Sequence, residues 1–238
     1  MEYLTTQLLR ERLGSLETIV GVPFNDLTLL LNACVHKSYL NEHEEETISS
    51  NERLEFLGDA VLELVTTEFL FKKYPTSGEG ELTALRSALV KGNQLAEVAA
   101  GLDIGVFLLL SHGEEKSGGR EKGYLLANFM EAIIGAVYLD QGFEKVKDFI
   151  HRHILMHVDT IVELGLHIDA KSKLQEMMQD KRSMTPAYEV AGESGPDHNK
   201  VFEVVVSVGE EILGRGNGSS KQKAEQAAAE NALANLNA

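Results

Sequence analysis

Apolar residues recur at three- and four-residue steps through the first two-thirds of the chain, a pattern that predicts helices up to about residue 160. The clearest runs from about Asn51 to Lys73, where Leu54, Leu57, Val61, Leu64 and Val65 keep that spacing. Tyr74-Pro75-Thr76-Ser77-Gly78 ends it, since proline cannot continue a helix and glycine relaxes the turn. A second long helix is expected over Gly80 to Ala100, with a break near Gly92. Gly118-Gly119 marks a loop, and a third strong helix follows from about Gly123 to Leu139. Asp140-Gln141-Gly142 then reads as a turn before a helix over about Phe143 to Ile161.

The pattern changes after Glu163. Gly165-Leu166-His167 reads as a short linker, and Asp169 is placed to cap a helix reaching about Asp180. Tyr188 to Ala191, Val201 to Val208 and Glu211 to Arg215 read as three strands. In the middle one, Phe202, Val204, Val206 and Val208 alternate with Val201, Glu203, Val205 and Ser207, as in a strand whose faces are unequally buried. Gly214-Arg215-Gly216-Asn217-Gly218 reads as a glycine-rich turn leading into an alanine-rich helix, Ser220 to Leu236. The expected architecture is an all-α domain over residues 1–162, a linker over 163–168, and a small α+β domain of α-β-β-β-α order over 169–238.

Composition narrows the function classes. The 238 residues are 43% hydrophobic, enough for a packed core. No apolar run approaches the ~20 residues needed to span a bilayer. Met1-Glu2-Tyr3-Leu4 offers no basic region before an apolar stretch, so no signal peptide is expected. The single cysteine, Cys34, lies in an apolar run and reads as a small buried hydrophobe, which suits a reducing compartment. A net charge of -15 argues against a nucleic-acid partner until its distribution is considered. Residues 168–238 carry 8 Lys+Arg against 11 Asp+Glu, so most of the acidity belongs to the first part of the chain.

Within that acidity one group stands out. Glu52, Glu55 and Asp59 follow three- and four-residue steps and share one helical face. Asp59 has Phe56, Leu57, Val61 and Leu62 as sequence neighbours, an apolar setting in which an unpaired charge is costly. Like charges ~4 Å apart repel by about 4 kcal/mol at an effective dielectric near 20, so such clusters usually need a cation. Glu131, with Asn128 one turn earlier, could face them from the third helix. A plainer reading stands beside this one: Ser49-Ser50-Asn51-Glu52 fits a capping box, and Glu63 and Glu68 read as solvated residues. Periodicity alone leaves both readings open.

The run Asn51-Glu52-Arg53-Leu54-Glu55-Phe56-Leu57-Gly58-Asp59-Ala60-Val61-Leu62 closely resembles the signature of the ribonuclease III catalytic domain. The resemblance extends to His36-Lys37-Ser38-Tyr39, Gly78-Glu79-Gly80-Glu81-Leu82, Arg86-Ser87-Ala88-Leu89-Val90, Lys116-Ser117-Gly118-Gly119 and Ala127-Asn128-Phe129-Met130-Glu131-Ala132-Ile133-Ile134-Gly135. It implies a ribonuclease III fold in which Glu55, Asp59, Glu131 and Asn128 hold Mg2+, with Mn2+ a possible substitute. Asp59 and Glu131 would act in catalysis, supported by Glu52 and Glu79. A hard cation that prefers oxygen ligands suits these residues.

In the second domain, Lys221 and Lys223 open the last helix after the glycine-rich stretch, and exposed amides there would make a phosphate cradle. A solvated helix end is the plainer reading. The stretch lacks the lysine spacing of a nucleotide-binding P-loop. Lys173-Leu174-Gln175-Glu176, Gly195-Pro196-Asp197-His198 and the run from Gly216 to Ala229 resemble the double-stranded-RNA-binding domain. The resemblance implies RNA contacts at Gln175, Glu176, His198, Lys221 and Lys223, across two minor grooves and the intervening phosphates. Ala170 and Gln222 depart from its common residues. His153 and His157, one helical turn apart without a third ligand, read as surface residues, and Asn217-Gly218-Ser219 as a turn.

Together the resemblances imply a cytoplasmic, homodimeric endoribonuclease with no membrane association. It would cut double-stranded RNA to leave 5′-phosphates, 3′-hydroxyls and short 3′ overhangs, and would process ribosomal RNA precursors and some messenger RNAs. The alternatives are a non-catalytic duplex-binding protein, which the retained Glu55, Asp59 and Glu131 disfavour, and a metal-dependent enzyme on another substrate, which the second domain disfavours. Asn128 stands where the family frequently has aspartate, and a neutral amide oxygen is a weaker ligand than a carboxylate. Asn128→Asp should therefore lower the Mg2+ midpoint of cleavage; equal midpoints for the two proteins would remove the idea.

Overall fold

The structure, a computed structural model, describes residues 6–43, 48–165, 169–196 and 200–237, and the chain divides into two compact units, Met1–His167 and Ile168–Ala238. The first contains helices α1 (Thr6–Val20), α2 (Leu27–Cys34), α3 (Lys37–Leu40), α4 (Glu52–Lys73), α5 (Glu79–Val90), α6 (Gly92–Gly101), α7 (His112–Lys116), α8 (Gly123–Gln141), α9 (Phe143–His153) and α10 (Val158–Glu163). The second runs α11 (Ala170–Arg182), β1 (Ala187–Ser194), β2 (Val201–Val208), β3 (Glu211–Gly218) and α12 (Lys221–Asn237).

Helix α8 is the axis of the first unit. Leu125, Phe129, Met130, Ile133, Ile134 and Val137 are buried around its circumference, as expected of a helix apolar on nearly every side. It packs on α2, α4, α6 and α9, and its approach to α4 is set by two glycines. A Cβ on Gly58 would lie 1.8 Å from the carbonyl oxygen of Glu131, and one on Gly135 would lie 2.2 Å from that of Leu54. The helices therefore cross backbone to backbone, with Glu131 drawn to the turn of α4 that carries Glu55 and Asp59.

The break expected near Gly92 is present, where Lys91 is extended (ψ 145°) between α5 and α6. Several other boundaries differ from the sequence expectation for local reasons. The stretch over Phe143 to Ile161 also breaks: Ile154 leaves the helix (φ -115°) and a 3-10 turn over Leu155–His157 precedes α10. With that break Ile154, Leu155, Val158 and Ile161 are all buried. The capping box does not form. Asn51 makes no side-chain cap; its N–H donates to the Val35 carbonyl, while Glu52 accepts from Lys37 and Ser50 instead. Glu68 is not a plainly solvated acid, since Lys147 and Lys72 both donate to it and hold its carboxyl down to about 2. The ring of His153 is half-buried rather than on the surface: it packs against Phe149, and its Nε2 is buried without a partner among the described residues.

In the second unit β1, β2 and β3 form an antiparallel sheet in that order. Asp169 caps α11 by accepting from Lys171 N at 3.2 Å. Val204, Val206 and Val208 of β2 are buried against Leu174 and Met178 of α11 and the alanines of α12. The stretch from Gly214 to Gly218, expected to turn, is the second half of β3, and Asn217 pairs in its ladder with Glu203. Packing is the reason. A Cβ on Gly214, Gly216 or Gly218 would come within 2.6, 2.1 or 2.5 Å of backbone atoms of α12, at Ala228, Ala232 and Ala224. The alternate glycines make a flat strand face on which the alanine-rich helix lies.

In an open helix Gly→Ala gains about 1 kcal/mol. At the α4–α8 crossing the added methyl overpacks a backbone contact, so Gly58→Ala should destabilise the protein by about 3 kcal/mol or more in urea unfolding. Unchanged or raised stability would show that the helices are not held this closely.

Candidate active site

Glu131 is the one carboxylate on an otherwise buried face of α8, and it is half-buried there. Burial, then the charge of Asp59, then that of Glu55 push its carboxyl up to about 7. Glu55, half-buried on α4, is also raised, chiefly by burial and then by the charge of Glu52. The Asn128 side chain hydrogen-bonds to Glu55 and opposes that rise. The four residues expected at the metal, Glu55, Asp59, Asn128 and Glu131, thus lie within electrostatic or hydrogen-bonding reach of one another across the α4–α8 crossing.

Asp59 is not in an apolar setting. It is exposed, and so is Phe56 at 81%. Of its other apolar neighbours in sequence, Val61 and Leu62 are buried in the core and Leu57 is half-buried. Among the described residues no three His, Cys, Asp or Glu side chains close around a single point as a metal site. The acids share a patch and interact through their charges. As donors they are all oxygen, the set a hard divalent cation takes.

Of the supporting acids, Glu52 is exposed and held by Lys37 Nζ at 3.1 Å and Ser50 Oγ at 3.3 Å. Glu79 is exposed in the first turn of α5, and no hydrogen bond or ion pair among the described residues joins it to the other acids. Sequence reasoning missed the polar network about His36. Ser38 Oγ accepts from Ser111 N at 3.0 Å and meets His36 Nδ1 at 2.8 Å, while Lys122 donates to Glu114 at 2.6 Å and to Ser117 Oγ at 2.8 Å. The signal lies in the runs His36-Lys37-Ser38 and Lys116-Ser117-Gly118-Gly119.

In the second unit Gln175 and Glu176 are exposed on α11, and Lys221 and Lys223 are exposed in the first turn of α12. A groove between these helices is lined by Asp169, Lys171, Ser172, Gln175, Tyr188 and Lys223. Lys171 crosses it to Glu225 at 2.7 Å and lies over the Tyr188 ring at 4.9 Å. With the Gln226 amide oriented as its neighbours require, its nitrogen donates to Asp169 Oδ1 and its oxygen accepts from Ala170 N, each at 2.9 Å. The glycines expected in a turn before the last helix belong to β3. Ser220 opens α12 instead, its Oγ accepting from Lys223 N at 3.3 Å. His198 lies outside the described residues.

Comparison with known proteins covers both units. The family described as Ribonuclease-III-like matches residues 26–158, and the double-stranded RNA binding motif matches residues 170–236. A protein named Ribonuclease 3 from Listeria monocytogenes is 45% identical over 221 residues, covering 93% of this chain and 96% of its own. One of the same name from Streptococcus gordonii is 47% identical over 213 residues, covering 90% and 91%. Among solved structures, the nuclease domain of ribonuclease III from Campylobacter jejuni is 44% identical with a TM-score of 0.55, covering 62% of this chain and 94% of that domain. With each unit matched in turn and the likeness to relatives running through nine-tenths of the sequence, this chain belongs to the ribonuclease III family and is a ribonuclease.

Proposed function

We propose that this ribonuclease hydrolyses phosphodiester bonds of double-stranded RNA at Glu55, Asp59, Asn128 and Glu131, with Glu52 and Glu79 in support. The observation that carries the reading is Glu131, half-buried and pushed up to about 7 beside the charges of Asp59 and Glu55. A carboxylate kept against two others is poorly placed for stability and well placed to receive a cation. The three carboxylates and the Asn128 amide oxygen would hold Mg2+, or Mn2+ in its place. When bound, such an ion supplies a water of lowered pKa and positive charge for the leaving oxygen.

The remaining steps fall to the chain's own groups. Glu131 holds a proton near neutrality in the metal-free protein and releases it as the cation arrives. Hydrolysis leaves a 5′-phosphate and a 3′-hydroxyl, with short 3′ overhangs when both strands are cut by a homodimer. Phe56, Leu64 and Phe71, 81%, 59% and 71% exposed on α4, offer an apolar face for a second copy. One solved structure of the Campylobacter jejuni nuclease domain is described by flexibility in a region involved in dimer formation. Gln175, Glu176, His198, Lys221 and Lys223 grip the duplex, and the substrates are ribosomal RNA precursors and some messenger RNAs. The cytoplasm is the proposed compartment, in keeping with the lone buried Cys34. No helix among the described residues is long and apolar enough to cross a membrane.

Cleavage of a labelled RNA hairpin tests the centre. Staggered cuts should require Mg2+ and fall at least 100-fold in Glu131→Gln (about 2.7 kcal/mol in the barrier). Because the Glu131 carboxyl is raised, protons compete with the cation below about pH 7, so the Mg2+ midpoint should rise from pH 8 to pH 6. Duplex binding without metal-dependent cutting would favour the non-catalytic reading.

Phosphate contact by the second unit has a separate signature. Lys223→Ala should weaken RNA binding and lower the slope of log affinity against log salt by about one. A slope equal to that of the unaltered protein would remove Lys223 from the contact set.

A further inference from the structure

Lys37 opens α3, and its position is fixed by more than its own helix. The His36 N–H donates to the Leu109 carbonyl at 3.1 Å, and Asn51 N–H donates to the Val35 carbonyl at 2.8 Å. His36 Nδ1 accepts from Ser38 N at 3.3 Å, which caps α3. The segment carrying Lys37 is therefore tied both to the chain near Leu109 and to the start of α4. Its ammonium reaches Glu52 Oε1 at 3.1 Å although the two residues are 15 apart in sequence. An ion pair this exposed, at 65% and 54% for the two side chains, contributes little to folding. Its effect falls on the acids instead. The Lys37 hydrogen bond is the main cause holding the Glu52 carboxyl below its ordinary range, and the Lys37 charge also opposes the rise at Glu55.

We propose that Lys37 is a positioning residue for the acid cluster. Its ammonium keeps Glu52 tied to α3 and offsets part of the negative field of Glu52 and Glu55. The cluster consequently holds a divalent cation less tightly than its carboxylates alone would. The inference rests on the reading that this cluster takes a cation. A unit charge several ångströms from a divalent ion, in a medium close to water, changes its affinity by about fivefold.

The test is Mn2+ binding to the full-length, RNA-free protein, with free Mn2+ read by electron paramagnetic resonance. Lys37→Arg keeps the charge and should match the unaltered protein. Lys37→Met and Lys37→Gln remove it and should bind about fivefold more tightly, with Lys37→Glu tighter again. A residue needed only for folding would not give an order that follows charge. Equal affinities across the series, or weaker binding by the neutral variants, would overturn the proposal. Glu131→Gln is measured alongside. If it does not weaken Mn2+ binding, the cation reading of the cluster fails and the Lys37 inference falls with it. If it weakens binding while the Lys37 series stays flat, the Lys37 inference alone is lost.

Discussion

The backbone contact between α4 and α8 at Gly58 and Gly135 governs the first unit, since the distance between these helices decides where Glu55, Asp59 and Glu131 stand. Glycine costs a helix about 1 kcal/mol relative to alanine, and two are kept where a methyl group would meet a carbonyl oxygen. The return is proximity. Acids on one helix become neighbours of an acid on another without a loop to hold them, and the elements carrying them are among the most deeply packed in the unit.

That proximity carries an electrostatic cost. In the metal-free protein Glu131 ionises only near neutrality, because burial and two neighbouring charges oppose it. A carboxyl raised in this way costs the metal-free fold stability as pH climbs from the ordinary carboxylate range to its folded value, and the loss is complete above that. The surrounding apolar core supplies the compensating stability: α8 buries Phe129, Met130, Ile133, Ile134 and Val137 around the single turn that carries Asn128 and Glu131. Packing and charge are opposed at this turn, and packing prevails.

Much of this was legible in the sequence. The three-and-four spacing located α4 and α8, and the spacing of Glu52, Glu55 and Asp59 gave their common face. It could not say which way that face points. Phe56 is apolar, yet it is 81% exposed, so the expected apolar setting of Asp59 fails with it. The stretch from Gly214 to Gly218 was misread because glycine richness signals a turn, while the period-two placement of its glycines signals a strand packed against a smooth helix. Lys37 was invisible as a partner of Glu52, since their meeting depends on Val35 accepting from Asn51. Contacts between distant segments do not show in periodicity. His153 shows the same limit, its ring packed inward on Phe149 from the last turn of α9.

At Gly214, Gly216 and Gly218 no side chain of β3 stands between strand and helix, and these residues rest directly on the backbone around Ala224, Ala228 and Ala232. Rotamers are the usual source of give in a protein interior, and this contact has almost none to offer. Force on the first turn of α12 would pass into the sheet as though the two were one solid piece. Lys221 and Lys223 are therefore mounted on a stiff base, and only their own flexible stems lose entropy when they meet an anion.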